Sequence, residues 1–205
     1  MIKFRQFLDE ALANKAQTKA VKGYSGADAY SLNHYRNQPF KEKLKLSGHR
    51  RGKSRGHPGR NKERLLSKAI RSHKTEHDMT VYHGVPHAAR HAIAHAAAKG
   101  VYHNKGYMST SKDHKTAKGF GSLDDNRGRH VLKIHVPKGS HALDLHHHGV
   151  GNRNEQEVLL HRNSRIHIHK VEKTRDFPNH PEHTHPEHTI TYHGTLVHDG
   201  TRHGT

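Results

Sequence analysis

No cysteine occurs anywhere in the 205 residues, which excludes disulfide staples, thiolate nucleophiles and cysteine-ligated zinc. Tryptophan is absent too, and only five Phe and seven Tyr are present. Hydrophobic residues make up 30% and the mean hydropathy is −1.06, against roughly 45–50% apolar in an average globular chain. The core must therefore be thin, with much of the chain in loops or polar surface. No apolar run approaches the ~20 residues that a membrane helix needs. The opening stretch sets Phe4, Phe7, Leu8, Ala11 and Leu12 on one helical face, interrupted by charges. It reads as an amphipathic helix docked on the domain, and not as a signal peptide or a span, so the expected location is cytoplasmic. Carboxylates are scarce as well: 18 Asp plus Glu stand against 36 Lys plus Arg, a formal net charge of +18. That imbalance favours an acidic partner.

The length fits one domain with appended segments. Residues 1–20 form the N-terminal helix, 21–175 the main domain, and 176–205 a His-rich tail with a last strand. The basic charge is densest at 41–64, where Arg50, Arg51, Lys53, Arg55 and Arg60 are spaced by Gly52, Gly56, Pro58 and Gly59. Gly and Pro break regular structure, so this is expected to be a basic loop able to meet nucleic acid or another acidic partner. Histidine is over-represented, with 27 residues that include His146-His147-His148 and the series His180, His183, His185 and His188. None shows a three-ligand spacing with a carboxylate, so no metal site is expected.

Against this background, Glu155-Gln156-Glu157 followed by Val158-Leu159-Leu160 stands out. The apolar run reads as a buried strand, and alternation would send both glutamates to one side to act on one ligand. An ionised carboxylate at the mouth of a buried strand costs several kcal/mol unless paired or hydrated, which suggests a site. Upstream lie Ser109-Thr110-Ser111, followed by a capped helical stretch to Phe120, and a β-prone segment ending in His83-Gly84.

In that order, His83-Gly84, Ser109-Thr110-Ser111 and Glu155-Gln156-Glu157 resemble the three signatures of the mono-ADP-ribosyltransferases, in the class that normally shows Arg, Ser-Thr-Ser and Glu-x-Glu. The segments 131–139 and 158–166 resemble the strands that flank the glutamate motif, and Tyr24, Tyr30 and Asn33 echo the helix that starts the domain. The likeness spans about 20–171. His83 departs from the class, where Arg is usual; His followed by Gly is what the other large division of the superfamily places there, with the imidazole bonding the adenosine ribose hydroxyl.

The resemblance implies transfer of ADP-ribose from NAD to an arginine side chain of a target protein, with release of nicotinamide, by a bacterial or phage effector. Glu157 would bond the nicotinamide ribose and steady the oxocarbenium-like charge that develops when the N-glycosidic bond breaks, as in glycoside hydrolysis. Glu155 would orient the acceptor, and Ser109 would hold Glu157. His83, Gly84, Ser109, Thr110, Ser111 and Phe120 would form the NAD site, with Phe120 either stacking on nicotinamide or serving as an ordinary core aromatic. Two other readings remain: a basic nucleic-acid-binding protein on a degenerate transferase scaffold, and a histidine-rich metal-binding protein.

Periodicity predicts helices over 2–15, 24–36, 61–73, 87–99 and 113–119, and strands over 79–83, 106–110, 129–136, 155–161, 164–171 and 189–197. Helices first and then mostly strands indicate α+β. The resemblance adds two packed, mainly antiparallel sheets with NAD in the cleft between them, in a monomer. Tyr192-His193-Gly194-Thr195 repeats the His-Gly pair, but after the glutamates, and reads as an ordinary strand end.

Overall fold

In the computed structural model, residues 17, 19–21, 59–121, 128–145, 153–176 and 187–199 are described. The helices expected over 2–15 and 24–36 fall outside them, as do residues 41–58 of the basic stretch and His146–His148. Gln17 and 19–21 are helical, and Val21 is buried. Helix α1 spans Gly59–Arg71, so the end of the basic stretch is helical and not loop. Leu66, Ala69 and Ile70 recur at helical spacing and are fully buried, which is the apolar stripe such a helix needs to pack.

Eight strands form one hydrogen-bonded sheet: β1 (Met79–Gly84), β2 (Val101–Asn104), β3 (Met108–Ser111), β4 (Gly128–Val136), β5 (Ala142–Asp144), β6 (Glu157–Leu160), β7 (Ser164–Asp176) and β8 (Glu187–His198). Their order is β2-β7-β8-β4-β1-β3-β6-β5. Every pairing is antiparallel except β4 with β8. The two halves expected of the fold meet at β1 and β3, which share a single registered pair, Tyr82 opposite Ser111. Five strands lie on one side of this junction and three on the other. Between the halves sits one apolar cluster: Val81, Leu132, Ile134, Ile166 and Leu196 from the larger half pack with Met108, Val158 and Leu160 from the smaller. A second cluster covers the other face of the smaller half, where Leu143, Leu145 and Leu159 meet Leu66, Ala69 and Ile70 of α1. Tyr107 joins it, giving its hydroxyl proton to the Glu63 carbonyl at 2.9 Å and lying 2.5 Å from the Ser67 hydroxyl.

Helix α2 (Arg90–Ala98) follows a 3₁₀ turn, His87–Ala89, and buries Ile93. Gly100, at φ +77°, ends it in the left-handed backbone that glycine tolerates best. Helix α3 (His114–Phe120) is capped by Asp113, whose side chain accepts from the Thr116 N–H at 2.8 Å. No described helix is long and apolar enough to cross a membrane.

Several expectations need correction. β2 and β5 were not expected; they are four and three residues long, too short to show a period against neighbouring His and Gly. The expected strand over 155–161 begins only at Glu157, because Arg153–Glu155 is a 3₁₀ turn and Gln156 takes φ +46°. β8 is no appended strand: it lies between β7 and β4, inside the larger half. His193-Gly194 sits in the middle of β8 and not at its end. A Cβ on Gly194 would lie 2.6 Å from Ile166 Cγ2 and 2.9 Å from the His167 carbonyl oxygen, so glycine there admits the bulged crossing of β7.

Candidate active site

Where β1 and β3 part, the ladder stops and a groove opens. It is lined by Tyr82, His83, Gly84, Ser109, Phe120 and Glu157 together with Thr110, Ser111, Ala117 and Glu155. Its volume is about 500 Å³ with the space open to solvent included. All eight residues expected at the site meet here, although His83 and Glu157 are 74 positions apart in sequence.

His83 occupies the split itself. Its Nδ1 lies 2.8 Å from the Ser109 carbonyl. A carbonyl can only accept, so Nδ1 carries the proton and Nε2 holds a lone pair. Burial lowers the imidazole pKa, and the Ser109 bond only partly offsets it. A neutral ring with an acceptor nitrogen suits a sugar hydroxyl, whereas an arginine would present charge.

The three hydroxyls of β3 divide the work. Ser109 donates to Glu157 Oε1 at 2.6 Å. Thr110 donates to the Val158 carbonyl and Ser111 to the Glu155 carbonyl, each at 2.6 Å. Thr110 and Ser111 are buried, and with their hydroxyls committed to main chain they shape the wall and leave Ser109 as the one hydroxyl directed at a carboxylate. Lys112 N–H adds a bond to the Gln156 carbonyl at 3.1 Å. The Lys112 bond continues the β3–β6 register by one residue, and the chain departs from strand geometry at Gln156, φ +46°, and the 3₁₀ turn Arg153–Glu155. The two glutamates are therefore joined through a turn, and strand alternation is not what unites them.

Glu157 is 7% exposed. Desolvation raises its carboxyl pKa, the Ser109 bond opposes the rise, and the charge of Glu155 adds to it. A carboxylate kept reluctant to ionise, yet held by one hydroxyl, is poised to gain from positive charge nearby. Glu155 is only half-buried at the groove's edge.

Gly84, which lines the groove, also has a packing role. A Cβ there would lie 2.2 Å from the Ala117 carbonyl oxygen and 2.4 Å from Gly121 N, so its bare Cα lets the end of α3 close against β1. Phe120, the last residue of α3, is 63% exposed while lining the groove. It is not a core aromatic. Tyr82 and Ala117 also line the groove and were not expected; Tyr82, whose ring meets His114 edge-on at 5.1 Å, was legible only as the neighbour of His83. Among the described residues, no three His, Asp or Glu gather as metal ligands.

The family model described as ADP-ribosyltransferase exoenzyme matches residues 3–191. No curated protein matches the chain significantly in sequence. Among solved structures, the enzymatic component C2-I of the C2-toxin from Clostridium botulinum aligns with TM-score 0.64 and 15% identity over 96% of this chain and 47% of its own. This chain thus spans about half the length of that relative. Plx2a, an ADP-ribosyltransferase toxin from Paenibacillus larvae, aligns with TM-score 0.62 and 16% identity over 96% of both chains. The ADP-ribosyltransferase Vis in complex with agmatine aligns with TM-score 0.61 and 17% identity over 98% of this chain and 86% of its own.

Proposed function

We propose, from the premise that this chain belongs to the ADP-ribosyltransferase exoenzyme family, that it transfers ADP-ribose from NAD to an arginine side chain of a target protein. The family's donor substrate is NAD. The observation that carries the reading is the 2.6 Å bond from Ser109 to Glu157 in a groove that also holds Glu155, His83 and Phe120. An inert scaffold has no reason to keep a buried carboxylate that costs stability and faces a cleft.

The residues divide the reaction as follows. Phe120 offers an exposed ring for the flat nicotinamide to stack on. His83 Nε2 accepts a hydroxyl proton from the adenosine ribose. Glu157, fixed by Ser109, bonds the nicotinamide ribose and stabilises the positive charge that grows as the C–N bond breaks and nicotinamide leaves with the bonding electrons. Glu155, nearer solvent, pairs with the acceptor and takes the proton that the incoming nitrogen sheds. A guanidinium matches this carboxylate pair because it is planar and donates two parallel N–H bonds. The likeness to Vis, whose complex holds the guanidinium compound agmatine, agrees with that choice. The basic stretch 41–64 supplies charge for an acidic target or for nucleic acid.

Incubation with labelled NAD and agmatine, and separately with an arginine-rich protein, tests this. Label should reach both acceptors and be lost in Glu157→Ala. Label moving only to a non-guanidinium acceptor overturns the arginine assignment, and transfer persisting in Glu157→Ala overturns the mechanism.

A further inference from the structure

Phe120 reaches the groove from the end of a thinly supported helix. Of the seven residues of α3 only Ala117 is buried, so little apolar surface holds it in place, and helices this short do not persist on their own. Its first turn is fixed by the Asp113 cap, whose carboxylate accepts from the Thr116 N–H at 2.8 Å and from the Thr116 hydroxyl at 2.7 Å. At the other end the last carbonyls of a helix run out of intrahelical donors. One guanidinium reaches them here: Arg129 Nη1 donates to the Lys118 carbonyl at 3.1 Å and to the Gly121 carbonyl at 3.4 Å. Nη1 carries two N–H groups, one for each carbonyl. A cation is favoured beside the negative end of a helix, and its N–H bonds are stronger than those of a neutral donor.

The two carbonyls that Arg129 binds stand on either side of Phe120. The ring itself is 63% exposed, so packing does little to aim it, and the direction of its side chain follows the main chain over residues 118–121. Arg129 lies near the start of β4, in register with Thr189 of β8. The next residue, His130, accepts the Val85 N–H on its carbonyl at 2.9 Å. The guanidinium thus ties the Phe120 end of α3 to the sheet of the larger half. Gly84 works beside it: a Cβ there would lie 2.9 Å from the Phe120 carbonyl carbon, so glycine permits the close approach that Arg129 rewards with two bonds. Arg129 is not among the residues that line the groove, and it acts on the groove through the helix end.

We infer that Arg129 is a positioning residue: by drawing the last turn of α3 onto β4, it holds the Phe120 ring over the groove for nicotinamide to stack on, and so sets the affinity for the donor. This rests on the proposed transferase activity, in which Phe120 takes the nicotinamide. Without the guanidinium the final turn of α3 loosens and the ring loses its fixed place, while Ser109, Glu157 and His83, held by β1, β3 and β6, keep theirs. Lysine keeps the charge but not the planar fork, and should hold the turn in part.

The test measures kcat and KM for NAD, with agmatine as acceptor, and the melting temperature of the full-length parent, Arg129→Met, Arg129→Lys, Phe120→Ala and the double variant Arg129→Met with Phe120→Ala. Arg129→Met should raise KM severalfold, by no more than the roughly tenfold expected for loss of the ring itself. Its kcat should change less than about threefold, the pattern of lost ground-state binding. Arg129→Lys should show a smaller rise. In the Phe120→Ala background the same Arg129→Met change should raise KM less than about twofold further, because two residues that act through one contact are not additive. A KM unchanged in Arg129→Met, or raised in full measure after the ring has gone, overturns the inference alone. So does a fall of kcat together with the melting temperature in both Arg129→Met and Arg129→Lys, which would make Arg129 a folding residue only. A parent that neither hydrolyses NAD nor modifies agmatine overturns the transferase reading and this inference with it.

Discussion

Ser109 and Glu157, 48 positions apart, meet through a 2.6 Å hydrogen bond from hydroxyl to carboxylate. The same serine takes the imidazole proton of His83 on its carbonyl. One residue therefore fixes both the group that would stabilise the breaking bond and the group that would read the nucleotide sugar, and its loss should be felt at both.

Removing the hydroxyl takes away the contact that lowers the Glu157 pKa, leaving desolvation and Glu155 to raise it. Since the chemistry needs the ionised form, the acid limb of activity in Ser109→Ala should move to higher pH. A hydrogen bond to a charged group contributes about 1.5–3 kcal/mol, so the rate near neutral pH should drop roughly 10- to 100-fold. A pH–rate profile checks both, and an unmoved acid limb would argue against the coupling.

Glu157→Gln should abolish transfer and hydrolysis while making the protein melt higher at pH 8. Burial raises the folded pKa of this carboxyl above its unfolded value, so the stability it contributes is present at low pH and lost as pH rises through the folded value. Glutamine never charges. The gap in melting temperature should close as the pH falls below the ordinary glutamate value of 4.5, which thermal melts across pH 4–8 would follow.

His83→Ala leaves the Ser109 carbonyl without its imidazole partner, a loss of about 1–3 kcal/mol for a group so placed, and should raise KM for NAD with a smaller change in kcat. In the parent the folded pKa of His83 lies below the ordinary 6.5. The stability of its neutral form is present above that ordinary value and lost as pH falls through the lowered one, and NAD binding should weaken over the same interval. Calorimetric titration with NAD should show that limb in the parent and not in His83→Ala.

The end of α3 can be altered in two separable ways. Phe120→Ala removes an exposed ring, so stability should change by less than about 0.5 kcal/mol, while KM for NAD rises about tenfold from lost stacking. Gly84→Ala forces a methyl to 2.2 Å from the Ala117 carbonyl. It should cost about 1–3 kcal/mol by overpacking and lower the melting temperature together with activity. Equal melting temperatures for the two variants would contradict the packing described for α3.

Strong local signals made much of this molecule legible in advance. The strands expected over 79–83 and 129–136 are present as β1 and β4, with Val81, Leu132, Ile134 and Val136 buried, and the helices expected over 87–99 and 113–119 end within a few residues of the structure's α2 and α3. β2 and β5 escaped because their partners, and not their own side chains, make them strands. Glu155 was misread for a related reason: an apolar run shows that a strand exists, while its first paired residue depends on the backbone geometry that precedes it. Here the 3₁₀ turn Arg153–Glu155 and the left-handed Gln156 delay the strand to Glu157.

The sequence by itself determined which residue types stand in which order: a histidine before glycine, a Ser-Thr-Ser run and a carboxylate pair before an apolar strand, an order recognisable through its resemblance to the signatures of the family. Only the tertiary structure decided how they converge. β1 and β3 separate after a single registered pair, the imidazole fills the gap, and a left-handed glutamine presents Glu155 beside Glu157. Strand order and the point at which a ladder splits arise from contacts between residues far apart in the chain, which no local pattern contains.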